Sequence, residues 1–523
     1  MDIPRIIITA LRGGAGKTIL SIGIIAAWTN LGKKVAPFKK GPDYIDAGWL
    51  ALAAGRPCYN LDTFMVKEEQ VLNSFLSHSI NRDIAVIEGN RGLYDGIDVE
   101  GSTSTAELAK LLNAPVILCI DCTKTTRTMA AVVSGCIRFD PDVKIKGVIL
   151  NRVAGPRHEN ILRKSIEYHC GISVLGAVPK LGKQNFPERH MGLVPMPEHG
   201  WAKDSIAAAS QTASKYLDLD ALAEIACNTP VHPKSEIPSA DYADLRRLFE
   251  HFIHPSQSLI SHPKSEIRNP ATSNQQHPPK SPLKGGLRGV LTSNEQRATR
   301  IGIVKDSAFQ FYYPENIDAL ISLGAEAVFI SPFSDSTIPP VDALYIGGGF
   351  PETHAEKLTQ NVKFRQELKA LAEDGLPIYA ECGGLMYLGE ELVLDGKSYP
   401  MAGVLPIIFG FSKRPQGHGY TIITVERENP YYKVGTEIKG HEFHYSRVLK
   451  WGGNDRDLAF SMKRGVGVIN KRDGLCYKNV LATYTHIHAL GTPLWAHAMV
   501  QNAISYRQKF TNSLSGQPEA ADN

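Results

Sequence analysis

The chain predicts two doubly wound α/β domains joined by a low-complexity segment, and three observations carry that prediction. Short β-branched runs alternate with amphipathic stretches from residue 5 to about 175, and the rhythm resumes at 300. The intervening residues 229–298 are rich in Pro, Ser, His, Lys and Asn and poor in large apolar side chains. Each α/β half also holds a glycine-rich turn between a predicted strand and a predicted helix. At 523 residues the chain exceeds what one hydrophobic core sustains.

In the first half, residues 5–9, 34–37, 84–87, 116–120 and 146–150 read as buried strands, and 18–31 and 105–112 as helices. Near-continuous apolar strands of this kind favour a parallel sheet covered on both faces. In the second half the strands fall at 301–305, 327–330, 343–346, 377–380 and 480–485, with helices at 316–323, 364–373 and 385–391. Between the halves, HPKSEI at 232–237 recurs at 262–267. That repeat is too short for a solenoid unit and marks an insertion. Only 242–252 has helical spacing there. The expected organisation is therefore a domain over 1–228, a disordered linker over 229–298, a domain over 299–512 and a disordered tail over 513–523.

Composition excludes several classes. Apolar residues make up 43% of the chain, and no apolar run approaches the ~20 residues that span a bilayer. Met1-Asp2-Ile3-Pro4-Arg5 enters a strand-like run at once and leaves no room for a signal peptide, so a cytoplasmic location is expected. A formal charge of +4 is too weak to argue for nucleic acid. The eight cysteines are scattered along the chain and suggest neither a zinc site nor a disulfide framework. Seven of them read as small buried hydrophobes.

The eighth, Cys382, is different, and so is the first glycine-rich turn. Arg12-Gly13-Gly14-Ala15-Gly16-Lys17-Thr18 follows a strand and precedes a helix, the context of a phosphate loop. Gly13, Gly14 and Gly16 let the backbone wrap phosphate oxygens. Lys17 would reach the β- and γ-phosphates of ATP, and the Thr18 hydroxyl would ligate Mg²⁺. Leu11 stands where the standard pattern has glycine, and the Gly13-Gly14 pair resembles the loop of dethiobiotin synthetase and chromosome-partitioning ATPases. Glu88, at the end of its strand, suits a second metal ligand. Lys39-Lys40-Gly41-Pro42-Asp43-Tyr44-Ile45-Asp46 puts cations and carboxylates on one loop, and Asn151 is placed to read an adenine edge. All lie at strand C-termini, the edge where open sheets bind ligands.

Ala380-Glu381-Cys382-Gly383-Gly384 has the small residues that permit a sharp, nucleophile-exposing turn. A helix N-terminus and a nearby imidazolium would lower the thiol pKa from about 8.5 to roughly 3.5–7.5. His486, in Tyr484-Thr485-His486-Ile487-His488, is the expected base. His488, two residues on along a strand, would face the same side. His441 and His444 are alternatives for the base. The loop Gly347-Gly348-Gly349-Phe350-Pro351-Glu352 can present N–H groups of Gly348 and Gly349, with that of Gly383, to a tetrahedral oxyanion.

These motifs, in this order, resemble the cobyrinic acid a,c-diamide synthase family of ATP- and glutamine-dependent corrin amidases. The resemblance covers 1–228 and 299–510. Its most specific pieces are the 38–46 loop, Gly92-Leu93-Tyr94-Asp95-Gly96, Pro187-Glu188-Arg189-His190-Met191-Gly192-Leu193 and Gly440-His441-Glu442-Phe443-His444-Tyr445-Ser446. It implies an N-terminal P-loop domain of the dethiobiotin synthetase type and a C-terminal, flavodoxin-like class I glutamine amidotransferase domain. It further implies Thr18, Asp46 and Glu88 as Mg²⁺ ligands and Lys39 as a phosphate contact. ATP, glutamine and a tetrapyrrole polycarboxylate are the implied partners, and a homodimer is compatible with it. Tyr94, Arg189 and His190 are candidates for substrate contact. His488 stands where related enzymes often carry an acidic residue, which leaves the third member of the triad open. Hydrogenobyrinic acid or nickel-sirohydrochlorin would serve the same chemistry. The distant alternative is a partitioning-type ATPase switch with an inactive amidotransferase module.

Overall fold

The computed structural model describes residues 3–180, 202–228 and 298–509, with backbone alone for 188–189, 192–193 and 510–515. The linker expected at 229–298, residue 298 apart, lies outside the described residues. In the N-terminal lobe, β1 (Arg5–Ala10), β2 (Val35–Lys40), β3 (Tyr59–Leu61), β4 (Ile84–Glu88), β5 (Val116–Asp121), β6 (Ile145–Val153) and β7 (Ser173–Pro179) form one sheet. Its order is β3-β2-β4-β1-β5-β6-β7, and every pairing is parallel. Helices cover both faces, as nearly continuous Ile, Val and Leu strands require. Helix Lys17–Asn30 buries Leu20, Ile24 and Trp28 on one face, while Leu108, Val133 and Leu162 fill the other.

Register does the positioning. Lys39 pairs with Glu88 across β2 and β4, and Ile8 pairs with Glu88 across β1 and β4. The phosphate loop, the Lys39 segment and Glu88 therefore emerge at adjacent C-termini. β2 runs three residues beyond its expected end, so Lys39 and Lys40 close the strand rather than open the loop.

In the C-terminal lobe, β8 (Thr299–Val304), β9 (Ala325–Ile330), β10 (Ala343–Ile346), β11 (Ile378–Glu381) and, much later in the chain, Val480–Thr483 form the parallel part of a nine-stranded sheet. Four antiparallel strands, Arg472–Tyr477, Leu458–Arg464, Gly417–Val425 and Glu437–His444, extend it. None of the four was expected. Two further expectations shift. Helix Gly383–Leu388 starts at the turn itself and stops at Gly389, so Glu391 begins a strand instead of ending a helix. Strand Val480–Thr483 stops two residues early because buried Asp473 captures the Tyr484 and Thr485 N–H groups at 3.0 and 3.1 Å. Helix Pro493–Ser515 includes three residues of the segment assigned to the tail. Among the cysteines, Cys227 is exposed and Cys136, Cys170 and Cys476 are half-buried, so only Cys58, Cys119 and Cys122 match the buried expectation. No helix among the described residues is long and apolar enough to cross a membrane.

Candidate active sites

The first site is a buried charge cluster. Gly14 (φ +73°) and Gly16 (φ +91°) turn the phosphate loop through the left-handed region that glycine favours. A Cβ on Gly16 would also collide with Asn151 Nδ2. The Thr18 hydroxyl lies 2.6 Å from Glu88 Oε1 and 3.2 Å from Asp46 Oδ2. The Lys39 ammonium is held 2.9 Å from Asp46, 3.1 Å from Glu88 and 3.5 Å from Asp43, and Lys17 lies 3.9 Å from Glu88.

Burial alone would lower the Lys39 pKa, but the three carboxylates outweigh it and hold the group well above its usual value. Burial raises Asp43 to about 6, with the Asp46 charge acting in the same direction. Burial would raise Asp46 too, but its bond to Lys39 wins and holds it low. Burial keeps Glu88 raised in spite of Lys39.

Asn151 Nδ2 donates to the Ala15 carbonyl at 2.8 Å and its Oδ1 accepts from the Arg152 N–H, so both ends of the amide are engaged beneath the loop. A divalent cation fits the donor set. Thr18, Asp46 and Glu88 offer hard oxygens, and Glu88 Oε2 is buried without a hydrogen-bond partner. Among the described residues, no group of three or more His, Cys, Asp or Glu forms a metal cluster on its own.

The second site surrounds Cys382. Its backbone (φ +47°, ψ −96°) lies in a region that non-glycine residues avoid, a strain of about 1–3 kcal/mol typical of functional turns. Strand β11 and the short helix Gly383–Leu388 enforce it, with Cys382 N–H donating to the Thr483 carbonyl at 2.7 Å. The thiol is buried, and its Sγ lies 3.7 Å from the Phe443 carbonyl. The lowered pKa expected for it is not found. Burial pushes the thiol up, Glu352, Glu381 and Glu442 push it further, and the Gly383 N–H opposes them.

His486 stands beside the glycine loop. A Cβ on Gly348 would strike His486 Cε1 and lie 3.2 Å from Nε2, and a Cβ on Gly383 would lie 2.9 Å from the Gly349 nitrogen. The three proposed oxyanion residues, the nucleophile turn and His486 are therefore brought together. His486 Nδ1 lies 3.4 Å from Glu381 Oε2. Glu381 is fixed by the Tyr345 hydroxyl at 3.0 Å and the Ile487 N–H at 3.1 Å. Sequence reasoning missed Glu381 as the carboxylate that faces His486. The available signal was a carboxylate inside the apolar strand that leads into the Cys382 turn.

His488 does not share the outlook of His486, because the strand has already ended. It lies 3.6 Å from Glu315 and accepts from the Leu490 N–H. His444 stacks on Tyr484 with ring centroids 3.6 Å apart and bonds through Nδ1 to the Ser446 carbonyl at 2.9 Å. His441 stacks on His486, and burial first, then His486 and His488, hold it neutral far below its usual range. Tyr94 donates to the Cys136 carbonyl at 2.6 Å and packs on Phe139. Only the backbone of Arg189 is described, and His190 lies outside the described residues.

Residues 6–193 match a family described as a CobQ/CobB/MinD/ParA nucleotide binding domain, and 300–493 match a CobB/CobQ-like glutamine amidotransferase domain. The cobyrinate a,c-diamide synthase of Magnetococcus marinus is 42% identical over 94% of this chain and 96% of its own. Those of Archaeoglobus fulgidus and Dehalococcoides mccartyi are each 37% identical, over 96% and 93% of this chain and 98% and 96% of theirs. The chain belongs to the cobyrinate a,c-diamide synthase family. Membership makes it a glutamine amidotransferase-containing ligase that uses a nucleotide, and it matches its relatives across both lobes.

Proposed function

We propose that the chain amidates the a- and c-acetate carboxylates of cobyrinic acid, using ATP and ammonia from glutamine, with the synthetase lobe ending at residue 228 and the amidotransferase lobe running from 299 to 512. The observation that carries the reading is the occurrence, in one chain, of a strained cysteine turn packed on the glycine loop that His486 flanks and of a carboxylate-lysine cluster at a phosphate loop.

At the thiol, Cys382 Sγ attacks the glutamine carboxamide carbon and its proton passes to His486. Glu381, 3.4 Å from Nδ1, balances the imidazolium that forms, and the N–H groups of Gly383 and Gly349 receive the oxyanion. Collapse returns the proton to the leaving ammonia and leaves a thioester. Water then attacks the thioester, releasing glutamate and restoring the thiol.

In the other lobe, an acetate oxygen attacks the γ-phosphorus of ATP and ADP leaves. Ammonia displaces phosphate from the acyl phosphate and loses a proton, giving the amide. Lys17 and Lys39 neutralise charge on the transferring group. Thr18, Asp46 and Glu88 would hold Mg²⁺, which when bound screens the phosphate charges. Asn151 acts as a strut under the loop. A cytoplasmic location accords with the supply of both ATP and glutamine.

The partitioning-switch alternative expects a broken amidotransferase, whereas Cys382, His486 and the glycine loop are intact and adjacent. Cys382→Ser tests the reading. Glutamine-driven amidation should fall by about 10³-fold or more, while ammonium-driven amidation stays within about threefold. Equal loss of both activities, or full activity on glutamine, contradicts it.

A further inference from the structure

Tyr44 belongs to the loop that carries Asp43 and Asp46, yet its ring is packed among the glutaminase residues. It stacks on Phe311 with centroids 5.1 Å apart and planes within 6°. It also lies 4.6 Å from the Tyr313 ring, 5.4 Å from His486 and 5.6 Å from His441. Each neighbour is tied to a working part. Phe311 forms a β-bridge with Gly348 of the oxyanion loop and meets Phe350 edge-on. His441 and His486 exchange backbone hydrogen bonds of 3.1 and 2.8 Å.

The other side of the loop is anchored in the charge cluster. Asp46 accepts from Lys39 and Thr18, and its own N–H donates to Asp43 Oδ1 at 3.0 Å. A polar tie runs alongside. Asn60 Nδ2 donates to the Gly41 and Asp43 carbonyls at 2.8 and 3.0 Å. The Asn60 N–H donates to Glu315 at 3.0 Å, and Glu315 faces His488, which follows His486 by two residues. One short loop is thus clamped to the phosphoryl cluster and to the glutaminase base together.

We propose that Tyr44 is a positioning residue that couples the two half-reactions: the occupancy of the phosphoryl cluster sets its ring against His486 and Phe311, so that glutamine hydrolysis is fastest when ATP and the acid are bound. This rests on the functional reading above. A backbone shift at Asp46 reaches the Tyr44 ring through a single intervening residue, and a misplacement of ~1 Å at a catalytic base can cost ~10²-fold in rate. Only the binding part of such a coupling is reciprocal: by whatever factor MgATP tightens glutamine binding, glutamine tightens MgATP binding, while the effect on hydrolysis rate need not be symmetric.

The test compares Tyr44→Ala and Tyr44→Phe with the unsubstituted chain. The measurements are glutaminase kcat/KM with and without MgATP plus cobyrinic acid, glutamate formed per amide, and ammonium-driven amidation. The unsubstituted chain should show stimulation of about 5–150-fold and close to one glutamate per amide. Tyr44→Ala should lose the stimulation and release several glutamates per amide, with ammonium-driven amidation within about threefold of normal. Tyr44→Phe should keep the coupling, because ring contacts carry it. A Tyr44→Ala chain that retains both stimulation and stoichiometry overturns the proposal. So does loss of its ammonium-driven activity, which would place Tyr44 in the phosphoryl site alone. If the unsubstituted chain releases no glutamate at all, the functional reading falls first and the coupling with it.

Discussion

The two sites handle buried charge in opposite ways. At the phosphate loop, Asp43, Asp46 and Glu88 enclose Lys39, and the ammonium stays charged because the carboxylates outweigh its desolvation. At the thiol, Glu352, Glu381 and Glu442 add to burial, and the sulphur is held as a neutral thiol. One site is organised around charge before its substrate arrives. In the proposed mechanism the other keeps its thiol protonated until a substrate amide and His486 act on it together. A cluster poised for phosphates is legible from charges alone, whereas a thiol's reactivity depends on what desolvates it.

The sharpest way to break this contrast is Glu88→Gln. The substitution removes an oxygen donor and a partner of Lys39, so glutamine- and ammonium-driven amidation should both fall by about 10³-fold, the equivalent of ~4 kcal/mol of barrier. Steady-state assays with each nitrogen source check it, and a loss confined to glutamine would contradict it. A smaller and one-sided effect is expected from Glu381→Gln. The amide cannot balance an imidazolium at His486, so glutaminase kcat should drop by about 10²-fold with ammonium-driven amidation unchanged. Retention of full glutaminase activity would remove Glu381 from the base.

The smallest effect sharpens the electrostatic half of the comparison. A thiol whose pKa is raised has a thiolate fraction that grows about tenfold per pH unit throughout the range below that pKa. Alkylation of Cys382 by iodoacetamide without glutamine, followed by peptide mass mapping, should therefore keep accelerating beyond pH 9. A plateau near neutrality would mean that the resting thiol is already ionised.

Much of this was legible in the sequence. Apolar strands and their glycine turns placed the phosphate loop, Lys39, Glu88 and Cys382 at sheet edges, because parallel buried strands leave a strong hydrophobic signature. The antiparallel extension was not seen. In Gly417–Val425 burial alternates only from Thr421 to Val425, while the Gly417–Tyr420 stretch carries mixed polarity. Glu381 and Tyr44 escaped for another reason. Their roles depend on contacts with residues far away in the chain, such as Glu381 with His486 and Tyr44 with Phe311. His488 was misplaced because strand periodicity was extended past Thr483, where Asp473 takes the backbone out of the ladder.

The most direct test of the account follows oxygen. Cobyrinic acid labelled with ¹⁸O in its acetate carboxylates, amidated with MgATP and glutamine, should deliver one ¹⁸O to inorganic phosphate for every amide formed. Phosphate that carries no label while amide accumulates would show that the acid is never phosphorylated.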